Sequence, residues 1–361
     1  MIRKNMYLIS NDLPAVREPF LLAPAGQEYL WGGTRLRDDF GKTGPELDMM
    51  ETLAETWECS THPDGTSRIA SGPLRGMLLN EYVRDFPEAL GTHPVKLGLP
   101  AGQIPILIKF IDADRDLSVQ VHPDDDYAAR MEGGSLGKTE MWYVLDASAD
   151  AQIVYGFNRD ADAALIRNAL SDGTVEKLLR RVPVCKDDVF YIESGTVHAI
   201  GAGSLIVEVQ ENSNLTYRLY DYGRTDKNGK QRELHIEKAL DVANLRSSIA
   251  PRQPIRVLNY RRGYAAEFLC RCRYFQAERL IVNTTQHIRA GMRTDSTSFA
   301  VLVCTQGCGT LLWPVSDERN DSGLQKKMNY LLVHQGDTVF LPAEGPEIMM
   351  HGCMQLLRVR C

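Results

Sequence analysis

At 361 residues, with 43% hydrophobic and 24% charged residues, the chain has the composition of a soluble globular protein with apolar material for two domains. Its 41 basic and 47 acidic residues leave a net charge of -6 without a basic stripe of the kind that tracks a nucleic acid backbone, so no nucleic acid partner is expected. No apolar run approaches the ~20 residues needed to cross a bilayer, and "MIRKNMYLISNDLPAV" is too poor in apolar residues for a signal peptide, so a cytoplasmic protein with no membrane partner is expected.

In chain order, "PLRGMLLNEYVRDFPEAL" (Pro73 to Leu90) carries apolar residues at helical spacing. The run "IPILIKFIDA" then reads as a strand, and "SVQVHPDDDY" (Ser118 to Tyr127) as another, stopped by Pro123. Side chains alternate along a strand, so Ser118, Gln120 and His122 point one way while Val119 and Val121 point the other. With the valines on a core, three polar groups aim together at a cavity or at solvent. "GKTEMWYVL" follows, placing Lys138, Glu140 and Trp142 on one face, and "AQIVYGF" is a further strand. Asp160 to Val182 has helical spacing interrupted by "SDG", which predicts two short helices meeting at Gly173. "DVFYIES", "SLIVEVQENS" and "TYRLYDYG" complete a set of short, closely spaced strands, the pattern of a sandwich or barrel. His198 lies in "ESGTVHAIGAG", just after a strand and a tight glycine turn.

A polar, proline-containing stretch, "RSSIAPRQPIRVLNY", reads as a linker near residue 250, and strands resume beyond it. Cys185 to Ile200 echoes His334 to Met349, each an Asp-led apolar strand running into a turn, which predicts two copies of one β unit. In a gapless pairing His198 falls opposite Glu347, so chemistry is expected in the first copy and a structural role in the second. The eight cysteines (Cys59, Cys185, Cys270, Cys272, Cys304, Cys308, Cys353, Cys361) form no paired CxxC framework and read as reduced thiols, with Cys304 and Cys308 buried as small apolar residues.

Gln120, His122, Glu140 and His198 make a mixed nitrogen and oxygen set suited to Zn²⁺ or a neighbouring divalent ion, with an open position for water or substrate. Each also has a plain structural role open to it. His122 could cap the Pro123-Asp124 turn, Glu140 could pair with Lys138 at the surface, and His198 could be a satisfied core histidine.

The Gln-x-His-Pro strand, Lys-Thr-Glu-x-Trp-Tyr, Gly-Thr-x-His-Ala-Ile and "TYRLYDYGR" together resemble the type I mannose-6-phosphate isomerases in their shorter bacterial form. "YLWGG" and "AETWECSTHPDG" (Ala54 to Gly65) are similar to further segments of that family, and the likeness runs over roughly residues 20 to 250. The resemblance implies a mainly β fold of two cupin-type jelly-roll barrels with short helical insertions. A catalytic domain would occupy residues 1–250, with helical segments near 73–90 and 160–182, and a domain without a metal site residues 251–361. It also implies one zinc ion per chain on Gln120, His122, Glu140 and His198, a catalytic Arg218, and Ser118 and Lys138 in the substrate pocket. Gln120, where most cupins have histidine, agrees with this family.

The implied reaction interconverts mannose-6-phosphate and fructose-6-phosphate by proton transfer between C2 and C1, in a monomer or homodimer. A divalent Lewis acid suits the developing enediolate. Lys138, a carboxylate or a hydroxide would shuttle the proton. Arg218 suits the phosphate or the enediolate oxygens, its plain alternative being a surface pair with Asp221. A cupin oxygenase, and a metal- or sugar-binding cupin without catalysis, are the rival readings.

Overall fold

The computed structural model describes residues 16–226, 228–249, 251, 253, 256–286, 289–315 and 327–361. The opening segment weighed as a leader lies almost wholly outside these residues, as does part of the linker near residue 250. The described chain is mainly β, in three antiparallel sheets with short helices between strands. No described helix is long and apolar enough to cross a membrane.

One sheet has six strands, in the order Val189–Ile192, Glu140–Ala147, Ser204–Glu211, Ile106–Ala113, Glu55–Cys59 and Ala25–Gln27. A second has five, in the order Tyr217–Tyr220, Val119–Val121, His198–Ile200, Gln152–Phe157 and Leu179–Pro183. Between them lies a cluster containing Ile111, Trp142, Val144, Ile153, Phe190, Ile200 and Ile206. Val119 and Val121 pack on the far side of the five-stranded sheet, against Ile166 of the Ala163–Ser171 helix and Leu240 of the Ile236–Val242 helix. Alternation therefore turns Gln120 toward the space between the sheets.

The other face of the six-stranded sheet is covered as well. Ile106, Ile108, Phe110, Met141, Val207 and Val209 join one cluster with Phe299, Val301, Phe340, Leu357 and Val359. Strands buried on both faces lose their polar alternation, which is why "ILIKFIDA" and "SLIVEVQE" are nearly continuous apolar runs. The covering strands belong to a ten-stranded sheet built from the chain beyond Leu258, completed by Phe20–Ala23 and Arg68–Ile69 from the N-terminal part.

The internal echo has a structural counterpart. Val189–Ile192 and Thr338–Leu341, which align in the gapless pairing, are both strands, and each runs through a turn into the next strand at His198 or Ile348. In the first helical segment the helix proper is Leu79–Asp85, followed by a 3-10 turn at Pro87–Leu90. The second divides at Gly173, whose φ of 66° ends the Ala163–Ser171 helix. Its last residues differ from expectation, for Leu179–Pro183 is a strand paired with Gln152–Phe157. The alternation of Leu179, Arg181 and Pro183 with Arg180 and Val182 fits that edge better than a helix ending on proline. Cys304 is buried as expected, but Cys308 is exposed. A register shift between Cys304 and Gln306 displaces the alternation by one residue, so that two positions four apart no longer share a face.

The contact between the N-terminal and C-terminal strands includes a buried ion pair. Glu58, fully buried, lies 2.7 Å from Lys42 Nζ and accepts from Thr338 Oγ1 at 2.8 Å, while Lys42 also donates to the Gly336 carbonyl. Removing one partner of a buried pair strands the other charge. Glu58→Ala is expected to lower unfolding free energy by about 3 to 5 kcal/mol, and Thr338→Val by only about 1 kcal/mol. Urea unfolding of the two variants checks this, and equal losses would contradict it.

Candidate metal and substrate site

Four neighbouring strands place a row of large side chains on the inner face of the six-stranded sheet. Trp57 pairs with Lys109, Lys109 with Glu208, and Glu208 with Trp142. All four are buried. Glu140, the first residue of its strand, stands opposite Gln210 and two residues before Trp142, so it shares that face.

The facing sheet supplies the histidines. The Gly195 turn, with φ of 84°, donates its N–H to the His122 carbonyl at 2.8 Å and leads directly into the His198 strand. His198 pairs with Gln120, and Gln120 with Arg218, so these three side chains share one face of neighbouring strands. The ring centroids of His122 and His198 are 4.7 Å apart.

His122, Glu140 and His198 converge, all buried, with ligand atoms within 4.8 Å of one another. His122 Nε2 lies 3.0 Å from Glu140 Oε1, and His198 Nε2 lies 3.8 Å from Glu140 Oε2. Lys138 Nζ is 2.5 Å from Glu140 Oε1 and 3.3 Å from His122 Nε2. The alternative pairing of Glu140 with Lys138 thus forms, but buried and not at the surface. Trp142 Nε1 donates to Glu140 Oε2 at 3.0 Å and to Glu208 Oε2 at 2.9 Å.

The tautomer of His198 follows from its surroundings. Its Nδ1 lies 2.8 Å from the Thr196 carbonyl, which can only accept, so Nδ1 carries the proton and Nε2 presents a lone pair. That Nε2 is buried, faces Glu140 and has no hydrogen-bond partner. A satisfied core histidine would not leave it so. A carbonyl behind one ring nitrogen and an open lone pair on the other is the arrangement of a metal-ligating imidazole.

The electrostatics agree with neutral imidazoles around an ionised carboxylate. Burial, then the Lys138 charge, push His122 down to about 3, and burial lowers His198 as well. Burial opposes ionisation of Glu140, but the Lys138 ammonium, together with the hydrogen bond to His122, outweighs it and holds the carboxyl well below its ordinary range. Glu208 is pushed up by burial and by the charge of Glu140, although Lys109 Nζ lies 3.2 Å away and Lys138 Nζ 4.0 Å away.

Arg218 donates through Nε to Ser118 Oγ at 3.2 Å and through Nη1 to the Glu233 carbonyl at 2.9 Å. Asp221 is occupied by Arg224 and Arg232 instead of Arg218, so the alternative surface pair does not form. Ser118 and Arg218 contact each other, not the Glu140 cluster, and the register through Gln120 is what links the two groups.

Sequence reasoning missed Glu208, Lys109 and Glu55, the last of which lies 3.5 Å from Lys109 Nζ. Their signal was present, because a charge inside a largely apolar run such as "ILIKFIDA" or "SLIVEVQE" requires a partner if the strand is buried.

The sequence of residues 20–147 matches the phosphomannose isomerase type I catalytic domain. Over 348 residues the chain is 35% identical to a putative mannose-6-phosphate isomerase of Bacillus subtilis, YvyI, spanning 94% of this chain and 98% of that one. The chain belongs to the mannose-6-phosphate isomerase family. The crystal structure of the mannose 6-phosphate isomerase from Bacillus subtilis superposes on it with a TM-score of 0.80 at 34% identity, covering 95% of this chain and 99% of the other. The fold is also shared with a mannose 6-phosphate isomerase bound with zinc and yttrium, at a TM-score of 0.67, 16% identity and the same coverage of each chain.

One carboxyl beside this cluster is raised far above its ordinary range. Burial, then the nearby Asp125 charge, raise Glu211 to about 8, while its Oε1 accepts from Thr139 N at 2.8 Å, beside Lys138 and Glu140. Asp125 is itself held by Gly137 N at 2.9 Å and Tyr274 Oη at 2.8 Å. Between its ordinary value and about 8 the folded state binds more protons at Glu211 than the unfolded state does, so stability falls as pH rises across that window. The cost by pH 9 is roughly 4 to 5 kcal/mol. Glu211→Gln is expected to raise the melting temperature at pH 9 and leave it nearly unchanged at pH 4. An equal effect at both pH values would contradict this assignment.

Proposed function

We propose that the pocket around Glu140 interconverts mannose-6-phosphate and fructose-6-phosphate, with one divalent ion held by Gln120, His122, Glu140 and His198. The chain is an aldose-ketose isomerase of this family, and the observation that carries the metal assignment is the unpartnered Nε2 of His198 facing Glu140. The donor set of imidazole, carboxylate and amide oxygen fits zinc, the ion that a structural relative is named as binding. When bound, zinc supplies Lewis acidity toward the oxygens on C1 and C2, where charge develops as the proton moves. The six- and five-stranded sheets are read as one cupin-type jelly-roll barrel that holds the site, and the ten-stranded sheet as a second that covers its back.

The remaining work falls to the chain's own side chains. A group that takes and returns a proton must lie on the pocket face, and Glu208, whose carboxyl is pushed up by burial and by the charge of Glu140, is a carboxylate on that face. Lys138, 4.0 Å from Glu208 and 2.5 Å from Glu140, is placed to stabilise negative charge on the substrate oxygens. Burial, then the field of Arg232, lower Arg218, whose direct contacts include no carboxylate. An incoming anion relieves that strain on its charge, whether it is the phosphate or the enediolate. Ser118, in contact with Arg218, adds a hydroxyl donor. An iron oxygenase or a non-catalytic sugar-binding protein has no support among the relatives named above.

A coupled assay converting mannose-6-phosphate should lose its rate to a chelator and regain it with Zn²⁺. Glu208→Gln should keep the metal and lower kcat by about 10²- to 10⁴-fold, whereas His198→Ala should fold and lose the metal. Metal analysis and circular dichroism of both variants decide this, and full metal occupancy in His198→Ala would remove it from the ligand set.

Arg218→Lys separates two roles. Lysine keeps the charge but loses the planar fork, so a group acting on the enediolate should lose kcat with little change in KM. An arginine that only anchors phosphate should raise KM with kcat nearly unchanged. We expect the first outcome, and an unaltered kcat in the metal-loaded variant would exclude it.

A further inference from the structure

Far along the chain from the site residues, two exposed cysteines stand directly opposite each other. Cys308 lies on the Ala300–Pro314 strand and Cys353 on the Ile348–Arg360 strand, and the antiparallel register pairs them residue for residue. Directly opposed residues of antiparallel strands project from the same face, with Cα atoms about 4.5 or 5.5 Å apart according to the type of pair. Both separations fall inside the range of about 4.4 to 6.8 Å that a disulfide spans.

The local backbone brings the strands close at this point. A Cβ built on Gly352 would lie 2.6 Å from the Cys308 carbonyl oxygen, and one on Gly307 would lie 2.3 Å from the Cys353 carbonyl oxygen. Glycine on one side of each cysteine thus keeps the strands in contact and leaves the thiols uncovered. The register shift between Cys304 and Gln306 is what turns Cys308 outward while Cys304 stays buried. Chance exposure of one thiol is ordinary, but here the partner at the paired position is exposed too.

We propose that Cys308 and Cys353 form a redox-responsive dithiol that closes to a cross-strand disulfide on exchange with a small oxidised disulfide such as oxidised glutathione. One protein thiolate attacks the small disulfide and releases one small thiol, leaving a mixed disulfide. The second protein thiolate then displaces the other small thiol and forms the Cys308–Cys353 bond. The protein loses two electrons and two protons, and the small disulfide gains both. Exposure admits the reagent, and the register places the second thiol in reach of the first.

The experiment uses the intact chain, with Cys185, exposed and without a cysteine opposite it, as the internal comparison. After incubation with oxidised glutathione, acid quenching, alkylation and digestion, mass spectrometry is expected to find a cross-link joining the peptides of Cys308 and Cys353. Cys185 is expected to carry glutathione or remain free. Cys353→Ser should convert the product at Cys308 into a stable mixed disulfide, and Cys308→Ser should do the same at Cys353. The oxidised wild type should also melt at a higher temperature than the same sample after reduction. Stable glutathione adducts on both cysteines of the wild type, or both thiols left free, would overturn the proposal.

Discussion

A carboxylate sealed from water must find its counter-charges inside the protein, and much of the site follows from how Glu140 does so. Its two oxygens face Lys138, both imidazoles and the indole N–H of Trp142, and none of these contacts reaches solvent. Isolated, such a charge would be protonated or would unfold its surroundings. Glu140 stays ionised because two sheets converge on it, one bringing Lys138 and Trp142 and the other His122 and His198. The strand register is therefore an electrostatic requirement as much as a packing one, since a slip of one residue would bury the carboxylate among valines and isoleucines.

Charge balance extends the argument to neighbouring strands. Glu55, Glu140 and Glu208 share the interior with Lys109 and Lys138, and fully ionised they would leave one negative charge in excess. The raised pKa of Glu208 expresses that excess, for it is the carboxyl on which an additional proton costs least. A site with surplus negative charge and neutral imidazoles has room for a cation.

Much of this was legible in the sequence where residue type and alternation agreed. The Gln120 and His122 alternation, the glycine turn before His198, and the break at Gly173 all act through a few neighbouring residues, and the structure places them as read. Lys109 and Glu208 were not recognised, because each is a charge flanked by apolar residues and only the pairing of two distant strands explains why both are tolerated. Cys308 was misplaced for a similar reason. A single extra residue in a strand reverses inside and outside, and the bulge after Cys304 follows from its partner strand and not from any motif. The strand at Leu179–Pro183 likewise exists because Gln152–Phe157 offers it an edge.

The C-terminal strands carry none of the candidate ligands, yet the burial of the Glu140 cluster depends on them. They cover the rear of the six-stranded sheet with Phe299, Val301, Phe340, Leu357 and Val359, so Lys109 and Glu208 sit on strands with no wet face. Tyr274 reaches Asp125, which lies next to Glu211 and the backbone of Gly137, one residue before Lys138. Coulomb interactions strengthen as water is excluded, so a rear face open to solvent would weaken every pairing around Glu140 without moving a ligand. The second set of strands is thus the dielectric wall of the site, and its sequence is free to vary wherever an apolar side chain of similar size still closes that wall.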